Sequence, residues 1–284
     1  MNVVLTMAAL TLREASRRKV LRALAGLTLL LLALSAWGFW RLAAIEVDGA
    51  GLTSGEAKLV ASQVLNLVMF GYSLVAALGT AFLAGPTLSG EIESGMALAV
   101  LARPVRRTTV LLGKWLGLVV FGSVFVVVAG LAQFAVVRAT VGYWPPDPAV
   151  GLLLLAAQTV VLLTLGLLLS TVISPMASGI VAVGLFGATW VAGVVGGVGT
   201  AVDNAGVERV GTISRMLLPT DGLWRGAMHA FQDPTALATF SDPAAAAFPF
   251  LSDSTLNGVY LAWTALWIAM VFGLAALAFT RRDV

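Results

Sequence analysis

The sequence has no cysteine and a single histidine, His229. Without cysteine there is no disulfide framework, no thiol chemistry and no cysteine-based metal site. His229 reads as a loop or interfacial residue, and as the lone imidazole it excludes zinc-protease and His-based triad sites. Charge is also scarce: 11% of residues are charged and 59% are hydrophobic, against about 25% charged in an ordinary soluble domain. No charged residue occurs between Lys58 and Glu91, Lys114 and Arg138, Asp147 and Asp203, or Asp253 and Arg281. Such windows exclude a soluble fold. The basic balance does not point to nucleic acid, because the positive charge is not gathered on an aqueous face.

What is present is hydrocarbon-length helix. About 20 apolar residues cross a bilayer. The window from Asp147 to Asp203 holds two crossings, with Ser174-Pro175 as the turn, and Ala23–Trp40 adds another. The sequence therefore predicts an all-α membrane protein, one domain over 1–284, with six transmembrane helices at 23–42, 59–85, 115–137, 150–172, 178–200 and 255–279. Six spans put both ends on one side. That side carries Arg13, Arg17, Arg18, Lys19, Arg22, Arg103, Arg106, Arg107, Lys114, Arg281 and Arg282 against four acids. The other side carries six basic and ten acidic residues. Lysine and arginine accumulate on the cytoplasmic side, so both termini are expected inside a cell membrane. The apolar Met1–Leu12 precedes the basic cluster, the reverse of a signal peptide.

No Asp, Glu, Lys or His is expected deep in a span, which disfavours a proton relay or an ion-coupled carrier. Arg41 and Arg138 read as snorkelling residues at outer span ends. Gly113-Lys114 resembles the end of a phosphate loop, but no glycine stands five positions earlier and Trp115 replaces the needed Ser or Thr. The chain thus carries no ATP site of this kind and reads as a non-enzyme without its own cofactor. Serine and aspartate lie mainly outside the spans, which disfavours an intramembrane protease. Span five is rich in glycine, and Gly193/Gly197 and Gly113/Gly117 each form a small-xxx-small pair. They serve either close packing within the monomer or a dimer seam or sliding pathway helix.

Three segments outside the spans are informative. Residues 1–19 start apolar and end basic (Arg13, Arg17, Arg18, Lys19), with Glu14 placed to pair with Arg18. They predict an amphipathic interfacial helix on the inner leaflet. In the loop 88–107, Gly85-Pro86 should end span two. A short helix Glu91–Ala102 should follow, with Ser89 as its N-cap, Glu91 and Glu93 in its first turn, Gly95 for close approach, and Leu98 and Leu101 on an apolar face. Pro104 stops it, and Arg103, Arg106 and Arg107 then face the cytoplasm. Such a helix suits docking on another protein. In the outer segment 201–254, Val207–Met228 predicts two short helices kinked at Pro219 and dipping into the outer leaflet, with Asp221 capping the second. His229–Ser252 reads as a surface loop.

These segments together resemble the ABC-2 type transporter permeases. The resemblance rests on Gly90-Glu91-Ile92-Glu93-Ser94-Gly95-Met96-Ala97-Leu98, Leu101-Ala102-Arg103-Pro104-Val105-Arg106-Arg107 and Leu112-Gly113-Lys114. The basic N-terminal helix, Leu218-Pro219-Thr220-Asp221 and the tail Phe279-Thr280-Arg281-Arg282 add to it. Met96 and the inserted Ala97 depart from the usual Gly-Thr-Leu. The resemblance implies an exporter permease subunit with an elbow helix at 1–19 and a coupling helix carried by Glu91, Glu93, Gly95, Leu98, Leu101, Arg103, Pro104, Arg106 and Arg107. It also implies a re-entrant pair at the exit, with Leu218, Pro219, Asp221 and Trp224 as gate residues. It implies two copies of a separate ABC ATPase subunit holding ATP and magnesium, and a second permease copy or a sister permease, all among membrane lipids. Asn66, Tyr72, Gln133 and Gln158, with Phe70, Phe82, Phe186 and Trp190, would suit an amphipathic or lipid-like cargo. A metal or sulfur cargo, as in copper-enzyme maturation, and a non-transporting assembly factor are the alternatives.

Overall fold

The computed structural model describes residues 3–17, 19–44, 46–47, 50–51, 54–93, 106–233, 249–252 and 255–281. The helices are α1 (Val3–Arg17), α2 (Lys19–Ala43), α3 (Ser54–Glu93), α4 (Arg107–Val141), α5 (Pro148–Val172), α6 (Pro175–Ala201), α7 (Ala205–Leu217), α8 (Thr220–Phe231) and α9 (Gly258–Arg281). Among the described residues six are long and apolar enough to cross a membrane: α2, α3 through Val60–Thr87, α4, α5, α6 and α9. In hydrocarbon the backbone must bond to itself, and a helix does so within one segment. The expected spans lie inside these helices, except that the last begins at Gly258. One departure from the all-helical expectation is a small antiparallel ladder between α2 and α3, β1 (Glu46–Val47) with β2 (Ala50–Gly51).

Breaks between helices follow local chemistry. Pro148 and Pro175 stand in the first turn of α5 and α6, where a missing N–H costs nothing. Gly142 ends α4 in the left-handed region (φ 69°) and donates its N–H to Arg138 O. Asn204 caps α7 by accepting from the N–H groups of Gly206 and Val207.

α5 is the central helix. Of its most apolar window 72% is buried, against 17% for α2 and 22% for α9, which lie at the periphery. A helix surrounded on all sides is apolar on all sides, and α5 shows that in its run Leu152–Leu155 and Val160–Leu163.

Two expectations about α3 are corrected. Gly85-Pro86 does not end the helix, which continues to Glu93. Proline removes a single N–H from the ladder, and packing holds the helix through it: Leu83, Ala84 and Thr87 are all buried. Gly85 is there for close approach, because a Cβ would sit 2.5 Å from Pro175 O at the start of α6. Ser89 therefore lies inside α3 and not at the start of a new helix. Glu91 and Glu93 close α3 and do not open a new helix. Gly95, Leu98, Leu101, Arg103 and Pro104 lie outside the described residues.

α1 lies along the start of α4. A Cβ on Gly113 would be 2.5 Å from Met7 Cβ and one on Gly117 would be 2.7 Å from Ala8 O. This small-xxx-small pair serves packing within the chain. α1 turns Thr11 and Ala15 inward and exposes Val3, Leu5, Leu10 and Leu12. Arg13, Arg17 and Lys19 are exposed, while Arg18 lies outside the described residues.

Candidate transport site

Leu218 and Pro219 form the kink between α7 and α8, as Pro219 led one to expect. α7 lies on α6 through glycine: a Cβ on Gly196 would be 2.7 Å from Gly211 Cα, and one on Gly199 would overlap Glu208 N. α8 enters the bundle and buries Leu223, Trp224, Ala227, Met228 and Phe231 against α5 and its neighbours. Gly151 of α5 leaves room for the Phe231 ring.

Asp221 does not cap α8. The N-cap is Pro219, and no side chain bonds there. Instead the buried carboxylate, 1% exposed, accepts from Arg215 Nε at 3.0 Å and Arg225 Nε at 3.1 Å. Arg225 Nη2 also donates to Gly193 O at 2.8 Å. Gly193 is the recess for this group, since any Cβ there would overlap the Asp221 carboxylate. The pair Gly193/Gly197 thus gives way to a carboxylate recess at Gly193 and helix contacts at Gly196 and Gly199. A buried carboxylate needs such partners, since losing one from a buried pair costs about 3–5 kcal/mol.

The C-terminal carbonyls of α7 have no partners within their own helix. Span six supplies them. Tyr260 OH donates to Arg215 O at 3.1 Å, Trp263 Nε1 to Met216 O at 3.2 Å and Trp267 Nε1 to Leu217 O at 2.8 Å. The three aromatics share one face of α9. Sequence reasoning missed this ladder, although polar-tipped aromatics at helical spacing were its signal.

Polar side chains expected to line a path instead join helices to one another. Tyr72 OH donates to Gln133 Oε1 at 3.3 Å, and Gln133 donates to Ser35 Oγ, linking spans one, two and three. Ser73 Oγ donates to Gln158 Oε1 at 2.9 Å, and Gln158 Nε2 to Thr220 O at 3.3 Å. Thr220 and Thr189 bring their hydroxyls to 3.0 Å. Such bonds hold membrane helices together at roughly 0.6–2 kcal/mol each. Phe82 faces outward, and Phe186 packs with Ala77 and Leu162 away from the others.

Asn66, Phe70 and Trp190 do come together, joined by Trp224 and Phe250. Phe70 lies 4.8 Å from Trp190, 5.4 Å from Trp224 and 5.6 Å from Phe250, ring centre to ring centre. Asn66 Nδ2 and Gln232 Nε2 both donate to Phe250 O. Leu251 and Ser252 are buried, and Ser252 N donates to Gln232 Oε1. The end of the expected surface loop is therefore folded into the protein. His229 contributes through Nδ1, 3.2 Å from Ser252 O. Four buried atoms of α3 and α8 have no hydrogen-bond partner among the described residues: Gln63 Oε1 and Nε2, Asn66 Oδ1 and Trp224 Nε1. Each such group costs about 1–3 kcal/mol.

At the other end of the spans, Lys114 is buried inside α4 and donates from Nζ to Thr87 O of α3 at 2.8 Å. Arg107 does not simply face the cytoplasm, because its guanidinium donates to Phe279 O at 3.3 Å and Thr280 O at 3.5 Å, capping α9. Arg106 is exposed as the N-cap residue of α4. Arg41 is exposed, and Arg138 rests over the Trp144 ring at 5.4 Å, a cation–π contact.

Open apolar grooves flank the bundle among the described residues. One, of about 510 Å³, lies between α6, α7 and Trp267 of α9. Another, of about 530 Å³, lies between α2 and α4 beside Leu12.

No curated protein matches the chain. A family profile described as ABC-2 family transporter protein matches residues 17–284. That match takes in all six apolar helices, the loop at 88–107 and the α7–α8 pair. The chain belongs to the ABC-2 family of transporter proteins and is a multi-pass membrane permease of an ABC transporter.

Proposed function

We propose that this permease is the membrane half of an ATP-driven exporter, with both termini in the cytoplasm of the cell and two ATPase subunits beneath it. The observation that carries the reading is the family match over a chain of six apolar helices. The sequence supports the division of labour, since its one glycine-lysine pair lacks a phosphate-loop context. ATP and magnesium then belong to the partner ATPase. The loop 88–107 is the coupling element. The inner ends of its flanking spans are tied by Lys114 to Thr87 and by Arg107 to the end of α9. A push on the loop is thereby delivered to spans two, three and six together.

Leu218, Pro219, Asp221 and Trp224 are the gate at the exit, and α1 is an elbow on the inner leaflet. A second copy or a sister permease completes the pathway. The cargo is amphipathic, in keeping with apolar spans joined by neutral amide and hydroxyl groups. Co-expression with the cognate ATPase tests the reading. ATP turnover should rise when the permease is present in the vesicles. An ATPase that neither co-purifies with the chain nor changes its turnover contradicts it.

A further inference from the structure

The unpartnered polar atoms at Gln63, Asn66 and Trp224 are not scattered. Gln63, Asn66 and Phe70 stand at i, i+3 and i+7 and so share one face of α3. Trp224 of α8 meets that face through the Phe70 ring, and Phe250 closes over it with its ring on Phe70 and its carbonyl on Asn66. Trp190 of α6 completes a group of four rings. Asn66 is fully buried and Trp224 is 1% exposed. Buried amide and indole groups are normally satisfied. Here a donor (Trp224 Nε1), an acceptor (Asn66 Oδ1) and, one turn before Asn66 on α3, a group that is both (Gln63) are left over.

Resting on the permease reading and narrowing its cargo, we infer that this cluster is a binding site for the uncharged, hydroxyl-bearing head of an amphiphile. The unpartnered groups here are neutral and include both donors and acceptors, which is the complement of a hydroxyl. A hydroxyl gives one hydrogen and accepts others, so a polyol head satisfies amide and indole at once. Aromatic faces pack on the C–H faces of such a head, and the surrounding apolar spans accept its chain. The spare groups offer no countercharge to an anionic or cationic head. Retaining unsatisfied groups at a loss of stability is a mark of a functional site.

The test uses the full chain in lipid nanodiscs, labelled with 5-fluorotryptophan. The Trp224 fluorine signal is assigned by its loss in Trp224→Phe. Decyl glucoside should shift that signal saturably, while decyl sulfate, with the same chain and an anionic head, should not. Gln63→Leu should weaken the glucoside midpoint at least tenfold and leave the thermal unfolding midpoint unchanged or raised, because it deletes two unsatisfied atoms. Equal shifts with both probes, or no saturable shift, overturn the site. So does a Gln63→Leu protein that unfolds at a lower temperature and binds the glucoside as before. The measurement needs no ATPase, so failure here leaves the permease reading standing. Conversely, failure of ATPase coupling leaves a positive titration intact.

Discussion

Gly193 and Asp221 show how much one missing methyl can decide. The Asp221 carboxylate occupies the space a side chain at position 193 would take, and it holds two guanidiniums around it. Gly193→Ala should therefore destabilise the protein as severely as Asp221→Asn. For Asp221→Asn the expected loss lies toward the lower end of about 3–5 kcal/mol, since Arg215 and Arg225 are 29% and 18% exposed. Thermal unfolding in detergent micelles reads both. Double variants of Gly193 with Asp221 should lose less than the sum, because the two positions share one interaction. A fully additive pair contradicts the geometry. The sequence made Pro219 legible as a kink. It led to Asp221 being read as a cap, because the local pattern of an acid after proline is a cap pattern. The partners that override it are Arg215 of α7 and Arg225 one turn on in α8, in a recess left by Gly193 of α6, and the cap pattern announces none of the three.

The same contrast holds for whole elements. The six spans were readable because hydrocarbon leaves the backbone few choices. The end of span two was not, because Gly85-Pro86 is a stop signal only where tertiary packing does not oppose it. Here the bonded and packed ends of α3, α4 and α6 carry the helix on to Glu93. Pro86→Ala should accordingly be tolerated or mildly stabilising, by up to about 3 kcal/mol if the ring strains the helix. A marked loss of stability contradicts a continuous helix. α1 makes a second prediction at this scale. Gly113→Leu or Gly117→Leu should lift α1 from α4, because backbone atoms of α1 lie where those side chains would go. A single cysteine at Asn2 should label from the cytoplasmic side in every case, and faster in the glycine variants. Labelling from outside contradicts both the elbow and the topology. A third concerns α7. Trp267→Phe removes the donor to Leu217 O and should cost about 1–3 kcal/mol. Loss of the helix-end contact should also make the α7–α8 corner more open to proteolysis.

At the scale of the molecule, the spans form one bundle around α5, with α8 inserted at one end and the bonds of Lys114 and Arg107 at the other. The candidate gate was legible as a list of residues but not as a buried corner. Trp224, the lone indole of α8, gave no sign of meeting Phe70 of α3, nor Asn66 of meeting Phe250 from a distant part of the chain. The coupling reading makes the inner and outer ends two halves of one device. The central claim is that ATP turnover in the partner is felt through the loop 88–107. The direct measurement is the rate of ATP hydrolysis by the reconstituted complex, with the wild-type permease and with Glu91→Lys/Glu93→Lys. The account predicts that the double variant inserts normally and retains the fold, yet hydrolysis falls at least severalfold or the ATPase no longer co-purifies. Wild-type turnover with full recovery of the complex would contradict it.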